Sequence, residues 1–283
     1  MAYRVRRRED MAAGLIRLIR DDLDRAQAEL RAHGRRERRI HKVRQRLKRT
    51  RSLLRVLEPA FGEDAIAARR SLTAAARLLA RARDADVAAA SARVLAASTA
   101  DTGLGFGRIA DALDDEAERA HTERTPLGQV AVHFAAAQAR IAGFDTAFDG
   151  HDLMRLAIKR AYRRGRKAMR TARTTLATTD LHAWRKAVKH LWHLLVAARK
   201  RLPASAERRA DRLAALGELL GHDNDHAVLA EKLALSPEGD PALMNQLAVI
   251  ARRRRRLEAE AFQLGNRLYG RKAERFADRM RLA

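Results

Sequence analysis

The sequence predicts an all-α fold, and three observations carry that prediction. Ala, Leu, Arg and Glu, all strong helix formers, dominate the 283 residues, while there are 15 glycines and only 5 prolines. No run of alternating β-branched residues appears, nor an Asn-Gly hairpin signal between strands. Apolar residues recur instead at helical spacing, in long stretches between punctuating glycines and prolines.

Taken in order, the punctuation is Gly34, Pro59 with Gly62, Gly103 to Gly107, Pro126, Gly150, Pro203, Gly221 and Ser236 to Pro241. It predicts helices near 9–33, 37–58, 63–82, 85–98, 106–124, 127–147, 151–176, 182–201, 205–220, 223–234 and 241–270. Short connections between long amphipathic helices predict antiparallel bundles.

An internal repeat organises these helices. His182 lies 141 residues after His41, and the same offset places Arg44 on Arg185, Lys48 on Lys189 and Leu54 on Leu195. Carried downstream without a gap, it places Leu79 on Leu220, Asp84 on Asp225 and Val87 on Val228. RARDADV and HDNDHAV therefore occupy equivalent places. The chain reads as a single unit over 1–283 made of two repeats, 1–146 and 147–283, related by a pseudo-two-fold.

The charge is unusual. Lys and Arg number 59 against 35 Asp and Glu, a formal net charge of +24. Such a balance repels itself and calls for an anionic partner: nucleic acid, an anionic membrane or a phosphate polymer. Cysteine is absent, which excludes disulfides, thiolate metal sites and cysteine nucleophiles. No segment reaches the roughly 18 to 20 apolar residues of a membrane span. The N-terminus shows no signal peptide, and the expected location is the cytoplasm.

In HKVRQRLKRTRSLLRVLEPAFG, from residue 41, a helical wheel separates two groups of side chains. Arg44, Lys48, Arg51 and Arg55 share one stripe with His41, bordering a core face of Val43, Leu47, Thr50, Leu54 and Leu57. Lys42, Arg46 and Arg49 fall off the stripe and read as solvated charges. The second copy places His182, Arg185 and Lys189 on the stripe and Trp184, Val188, Leu191 and Leu195 on the core face. Like charges at this spacing repel, so the stripe costs stability unless an anion covers it. Two stripes facing each other would line a cationic channel. Arg163, Arg166 and Arg170 share a face of the preceding helix and are expected to add to it, with Arg25 opposite Arg166 in the first repeat. RRRRR at 252–256 sweeps around its helix and reads mostly as solvated surface.

The pattern H-x-x-R-x-x-x-K-R-x-R followed by RDADV resembles the first half of a CHAD domain (conserved histidine α-helical domain). LHAWRKAVKHLWHLL followed by LLGHDND resembles its second half, and FQLGNRLYGRKAERFADRM its closing helix. The resemblance covers nearly the whole chain. It implies two four-helix bundles about a pseudo-two-fold with a basic central pore, binding of long-chain inorganic polyphosphate, and localisation to polyphosphate granules beside polyphosphate-metabolising or granule-associated proteins. His41, Arg44, Lys48 and Arg51 match the first motif, and His182, Arg185, Lys186 and Lys189 the second. Trp192 stands where the family pattern has an arginine, and His193 where it has a tyrosine. No strand pattern for a triphosphate-tunnel domain occurs, so that activity is not implied.

Two other classes compete. Nucleic acid would bind any basic groove through counterion release, yet aromatics are only 4% and offer no stacking platform, so it is expected only as a non-specific competitor. A metal-dependent phosphohydrolase is suggested by His151-Asp152 and by His222, Asp223, Asp225 and His226. Asp223 or Asn224 reads equally as a helix N-cap. Asp84 and Asp225 read as caps or as supports that orient the stripe. The expectation is a non-enzymatic binding module without metal or cofactor. His41 and His182, charging as pH falls toward 6.5, are expected to tighten polyanion binding.

Overall fold

The computed structural model describes residues 3–33, 36–98, 104–122, 127–235 and 242–280; the side chains of 36–37, 81–85 and 120–122 lie outside that description. The helices in order are α1 (Met11–Arg31), α2 (Arg36–Leu78), α3 (Ala80–Ser98), α4 (Phe106–Thr122), α5 (Leu127–Ala142), α6 (Gly150–Thr175), α7 (Thr178–Ala197), α8 (Ala204–Ala234), α9 (Leu243–Tyr269) and α10 (Ala273–Asp278). No strand occurs among the described residues.

The local reasons for these helices are visible in the chain. The Asp10 carboxylate accepts a hydrogen bond from the Ala13 N–H at 2.9 Å and caps α1. Asp149 does the same for α6 through the Asp152 N–H at 3.0 Å. Pro203 precedes α8 and cannot continue the helix before it. Within α2, Gly62 takes φ 47° and ψ −124°, a left-handed bend that only glycine adopts without strain. The two predicted helices 37–58 and 63–82 are thus two arms of α2, folded about that bend.

One expected break is absent. Gly221 was expected to end a helix, with Asp223 or Asn224 capping the next. Instead α8 runs unbroken through all three. Asp225 is likewise interior to α8 rather than a cap. A glycine costs a helix only about 1 kcal/mol against alanine, and a close neighbour can require it. The 3-10 turn Arg199–Arg201 and the short helix α10 were not foreseen as separate elements.

Corresponding helices pair alike in the two halves. α1 packs on α2 as α6 packs on α7, and α3 packs on α4 as α8 packs on α9. α3 also packs on α8, and α2 touches both α6 and α7. The buried core follows this pairing. One large cluster runs from Val5 through α1, α2, α5, α6, α7 and the start of α8 to Met280. A smaller one joins Ala88, Ala92, Leu95, Phe106 and Ala110 to Leu229, Leu233 and Ile250, so both clusters draw on both halves.

α7 buries Leu181, Trp184, Val188, Leu191, Leu194 and Leu195 almost fully, each leucine contributing about 1.5–3 kcal/mol. Trp184 stacks on Phe262 with ring centroids 5.1 Å apart, and a Cβ on Gly265 would stand 2.8 Å from the Trp184 ring. The N-terminal segment ties the halves together. The Val5 N–H donates to Ala197 O at 2.8 Å, and Arg201 Nη1 donates to Arg7 O at 2.6 Å.

Candidate functional site

The first arm of α2 buries Val43, Leu47, Thr50, Leu54 and Leu57 to 1% exposure or less. That face fixes the phase of the helix and sets the bordering stripe at the edge of the core. Lys48 is exposed there, while Arg44, Arg51 and Arg55 are half-buried. Arg44 Nη1 donates to Ala76 O at 2.9 Å, laying a cation on the carbonyl end of α2's second arm. His41 is exposed, its Nε2 2.8 Å from Gln45 Nε2.

α7 brings the second stripe against the first. Burial lowers the pKa of Lys186, and Arg51, Arg185 and Arg164 lower it further by repulsion. Burial likewise lowers the pKa of Arg51, with Arg69 and Arg77 adding to the shift. Arg55 is depressed by burial, then by Arg164 and Arg69, with Glu58 opposing and Arg51 adding. Lys48 of α2 acts on His182 of α7, whose pKa is lowered first by burial and raised in part by Asn224. The structure thus gathers Lys48, Arg51, Arg55, His182, Arg185, Lys186 and Lys189 from both halves into one crowded cationic region. Neighbouring cations make Lys186, Arg51, Arg55 and His182 harder to charge, the condition that an arriving anion relieves.

Three expected contributors sit elsewhere. Arg25 lines an open cleft of about 470 Å³ between the end of α1 and the start of α2, with Arg38, Arg39, Lys42 and Arg46. Arg163 pairs with Glu274 of α10 at 2.8 Å. Arg166 acts on Tyr162, whose hydroxyl donates to Arg271 O and whose ring stacks on Phe276 of α10. Arg170 is exposed on the same helix. The α6 cation that reaches the cluster is Arg164, one position away.

The off-stripe residues of α2 are more than solvated charges. Arg46 Nη1 lies 3.1 Å from the buried Asp22 carboxylate, Arg49 covers the Tyr3 ring at 5.0 Å, and Lys42 pairs with Glu29 at 3.2 Å. Among the RRRRR run, Arg254 is half-buried and holds Asp223 at 2.8 Å and Thr178 Oγ1 at 3.1 Å.

Several contributors carry no obvious local signal. Arg69 and Arg77 reach Arg51 because the Gly62 bend folds the second arm of α2 back. Arg69 is also paired with Glu58. On α8, a Cβ at Gly217 would lie 2.8 Å from Lys189 Cε, and one at Gly221 would lie 3.6 Å from Arg185 Nε. The missing Cβ at Gly217 lets the Lys189 stem cross α8, while at Gly221 a Cβ would make only ordinary contact with Arg185. The glycine inside the helical run was the signal to read.

His182 is positioned by a chain of contacts. Its Nδ1 lies 2.5 Å from Asn224 Oδ1, and Asn224 Nδ2 donates to Asp225 Oδ1 at 3.5 Å. Asp225 acts on the histidine through Asn224, with His182 Nδ1 as donor. The Asp84 side chain lies outside the described residues.

The histidine-aspartate pairs are engaged otherwise. Asp223 is 2% exposed and held by Arg254, His151 Nε2 lies 2.9 Å from Arg201 Nη2, and Asp152 pairs with Arg155. No group of three His, Cys, Asp or Glu that could hold a metal occurs among the described residues. Trp192 is partly buried, with Lys189 Nζ 5.3 Å from its ring centre. His190 and His193 are buried, and burial, followed by the neighbouring cations, lowers both to about 3. No helix is long and apolar enough to cross a membrane among the described residues.

Comparison with known proteins adds three findings. The family model of the CHAD domain matches residues 15–234. The crystal structure of the CHAD domain from the plant Ricinus communis is similar over 97% of this chain and 94% of that chain, with a TM-score of 0.66 at 19% identity. No curated protein matches.

Proposed function

Because the chain belongs to the CHAD domain family, we propose that it binds long-chain inorganic polyphosphate along the cations of α2 and α7. The observation that carries this reading is the crowding of Arg51 against Lys186 and of Lys48 against His182, across the two halves. Burial and like charge both act against Arg51, Lys186 and His182. A chain of phosphates satisfies the whole row at once, arginine through bidentate contacts and lysine as a point charge. A second support is that no aromatic side chain is among the exposed large hydrophobics of the described residues. Trp184 is fully buried, and the large hydrophobic side chains that are exposed are aliphatic: Val94, Val132, Leu176, Leu235 and Met244. A base-free polyanion suits such a surface better than nucleic acid.

On this reading the protein is a binding module rather than an enzyme. It works in the cytoplasm at polyphosphate granules, beside granule-associated proteins. The test is a competition titration of long-chain polyphosphate against single- and double-stranded nucleic acid, at equal charge and two salt concentrations. The account expects a strong preference for polyphosphate that persists at the higher salt. Equal displacement by nucleic acid at both would leave only counterion release and defeat it.

A further inference from the structure

A partly enclosed cavity of about 210 Å³ opens where α2, α6 and α7 meet. It is far larger than the roughly 10–15 Å³ needed to hold one water. Arg55, Arg160 and Arg164 line it together with His190. Leu153, Leu156 and Ala157 of α6 form an aliphatic side. His190 is 8% exposed, and its Nδ1 makes no hydrogen bond. Glu58 also lines the cavity, but its carboxylate is engaged by Arg69.

From this arrangement we infer that the cavity is a pocket for a terminal phosphoryl group, the end of a phosphate chain or of a small phosphate ester. An internal phosphate of a chain needs an open path on both sides, whereas a cavity with an aliphatic wall receives an end. A terminal phosphoryl carries a second negative charge near neutral pH, with a pKa of about 6, and three guanidiniums match it. His190, almost fully buried, closes the inner side of the pocket. The pocket joins the proposed polyphosphate face through Arg55, which neighbours Arg51, and through Arg164, which neighbours Lys186. The inference deepens that reading and rests on it only for an inorganic chain end; a phosphate ester would occupy the pocket independently.

The experiment titrates the full chain with linear tripolyphosphate, cyclic trimetaphosphate, phenyl phosphate and long-chain polyphosphate. It uses the unaltered protein, Arg160→Ala and Ala157→Phe, with helicity checked by circular dichroism. Linear tripolyphosphate or phenyl phosphate, each with a free terminal group, should bind better than the cyclic compound, which has none. Either substitution should weaken that binding roughly tenfold, as one charge-assisted hydrogen bond is lost or the cavity is filled, while long-chain affinity is retained. Tripolyphosphate binding identifies the inorganic chain end as the occupant, and phenyl phosphate binding identifies an ester. Equal binding of linear and cyclic compounds, unchanged by both substitutions, would overturn the pocket while leaving long-chain binding standing. Arg160-dependent phenyl phosphate binding without long-chain binding would do the reverse.

Discussion

Lys189 Nζ of α7 lies 2.7 Å from Glu218 Oε1 of α8, so one cation of the second stripe is already matched by a carboxylate. A polyanion must displace Glu218 or bind beside it. Glu218 is exposed, and such a pair is worth about 0.2–1 kcal/mol. Glu218→Gln should therefore raise polyphosphate affinity about two- to fivefold in a titration at fixed salt. Unchanged or weaker binding would show that Lys189 does not meet the ligand.

Gly217→Ala should separate stability from binding. The added Cβ meets Lys189 Cε at 2.8 Å, the flexible end of a side chain, so Lys189 moves rather than the helix. Alanine within a helix gains up to about 1 kcal/mol over glycine. The thermal midpoint should hold or rise while polyphosphate affinity falls. Parallel loss of both would mean that Gly217 is needed for the fold itself.

His190 and His193 make the fold sensitive to acid. His190 faces Arg55 of α2 and Arg164 of α6, while His193 faces Arg49 and Lys48 of α2, the Tyr3 ring, His190 and Lys189. Their folded pKa is about 3, below the ordinary 6.5, so the unfolded chain binds more protons between those values. The stability from keeping them neutral is complete above pH 6.5 and is lost as pH falls from 6.5 toward 3. Each contributes a slope of about 1.4 kcal/mol per pH unit in that window. Denaturant unfolding at pH 7 and pH 5 should show a smaller acid loss in His193→Gln than in the unaltered protein. Equal losses would contradict the assignment.

His182 should make binding pH-dependent in the opposite sense. Burial keeps it neutral at pH 7 in the free protein, and a phosphate beside it favours the charged ring. Polyphosphate affinity should rise from pH 8 to pH 6, and His182→Gln should flatten the rise. Asn224→Ala should weaken binding at both values by releasing the ring. Affinities equal at both pH values would remove His182 from the site.

Local periodicity made the stripe on α2 legible in the sequence. Leu47 and Leu54 fix the phase of the helix, and Lys48 and Arg51 follow from it. The phase of α7 was equally plain, because Trp184 and Val188 face the core as Leu47 does. Arg164 was missed for a physical reason. Arg163, Arg166 and Arg170 share a face, but α10 supplies Glu274 to the first of them, and only tertiary structure shows which side of α6 meets α2 and α7. Arg69 and Arg77 depend on the fold-back at Gly62, which punctuation located without giving its direction. Gly221 reads as a break because glycine is common at helix ends, yet inside a helix it costs only about 1 kcal/mol against alanine, and α8 runs on through it.

The central claim is that α2 and α7 form one binding site rather than two basic surfaces. Titration of long-chain polyphosphate into Arg51→Glu and Lys186→Glu, singly and together, tests it most directly, with helicity followed by circular dichroism. The account predicts that either single reversal removes most of the affinity, and that the double variant loses less than the two single losses combined. Binding that survives each reversal, with losses that simply add in the double variant, would contradict it.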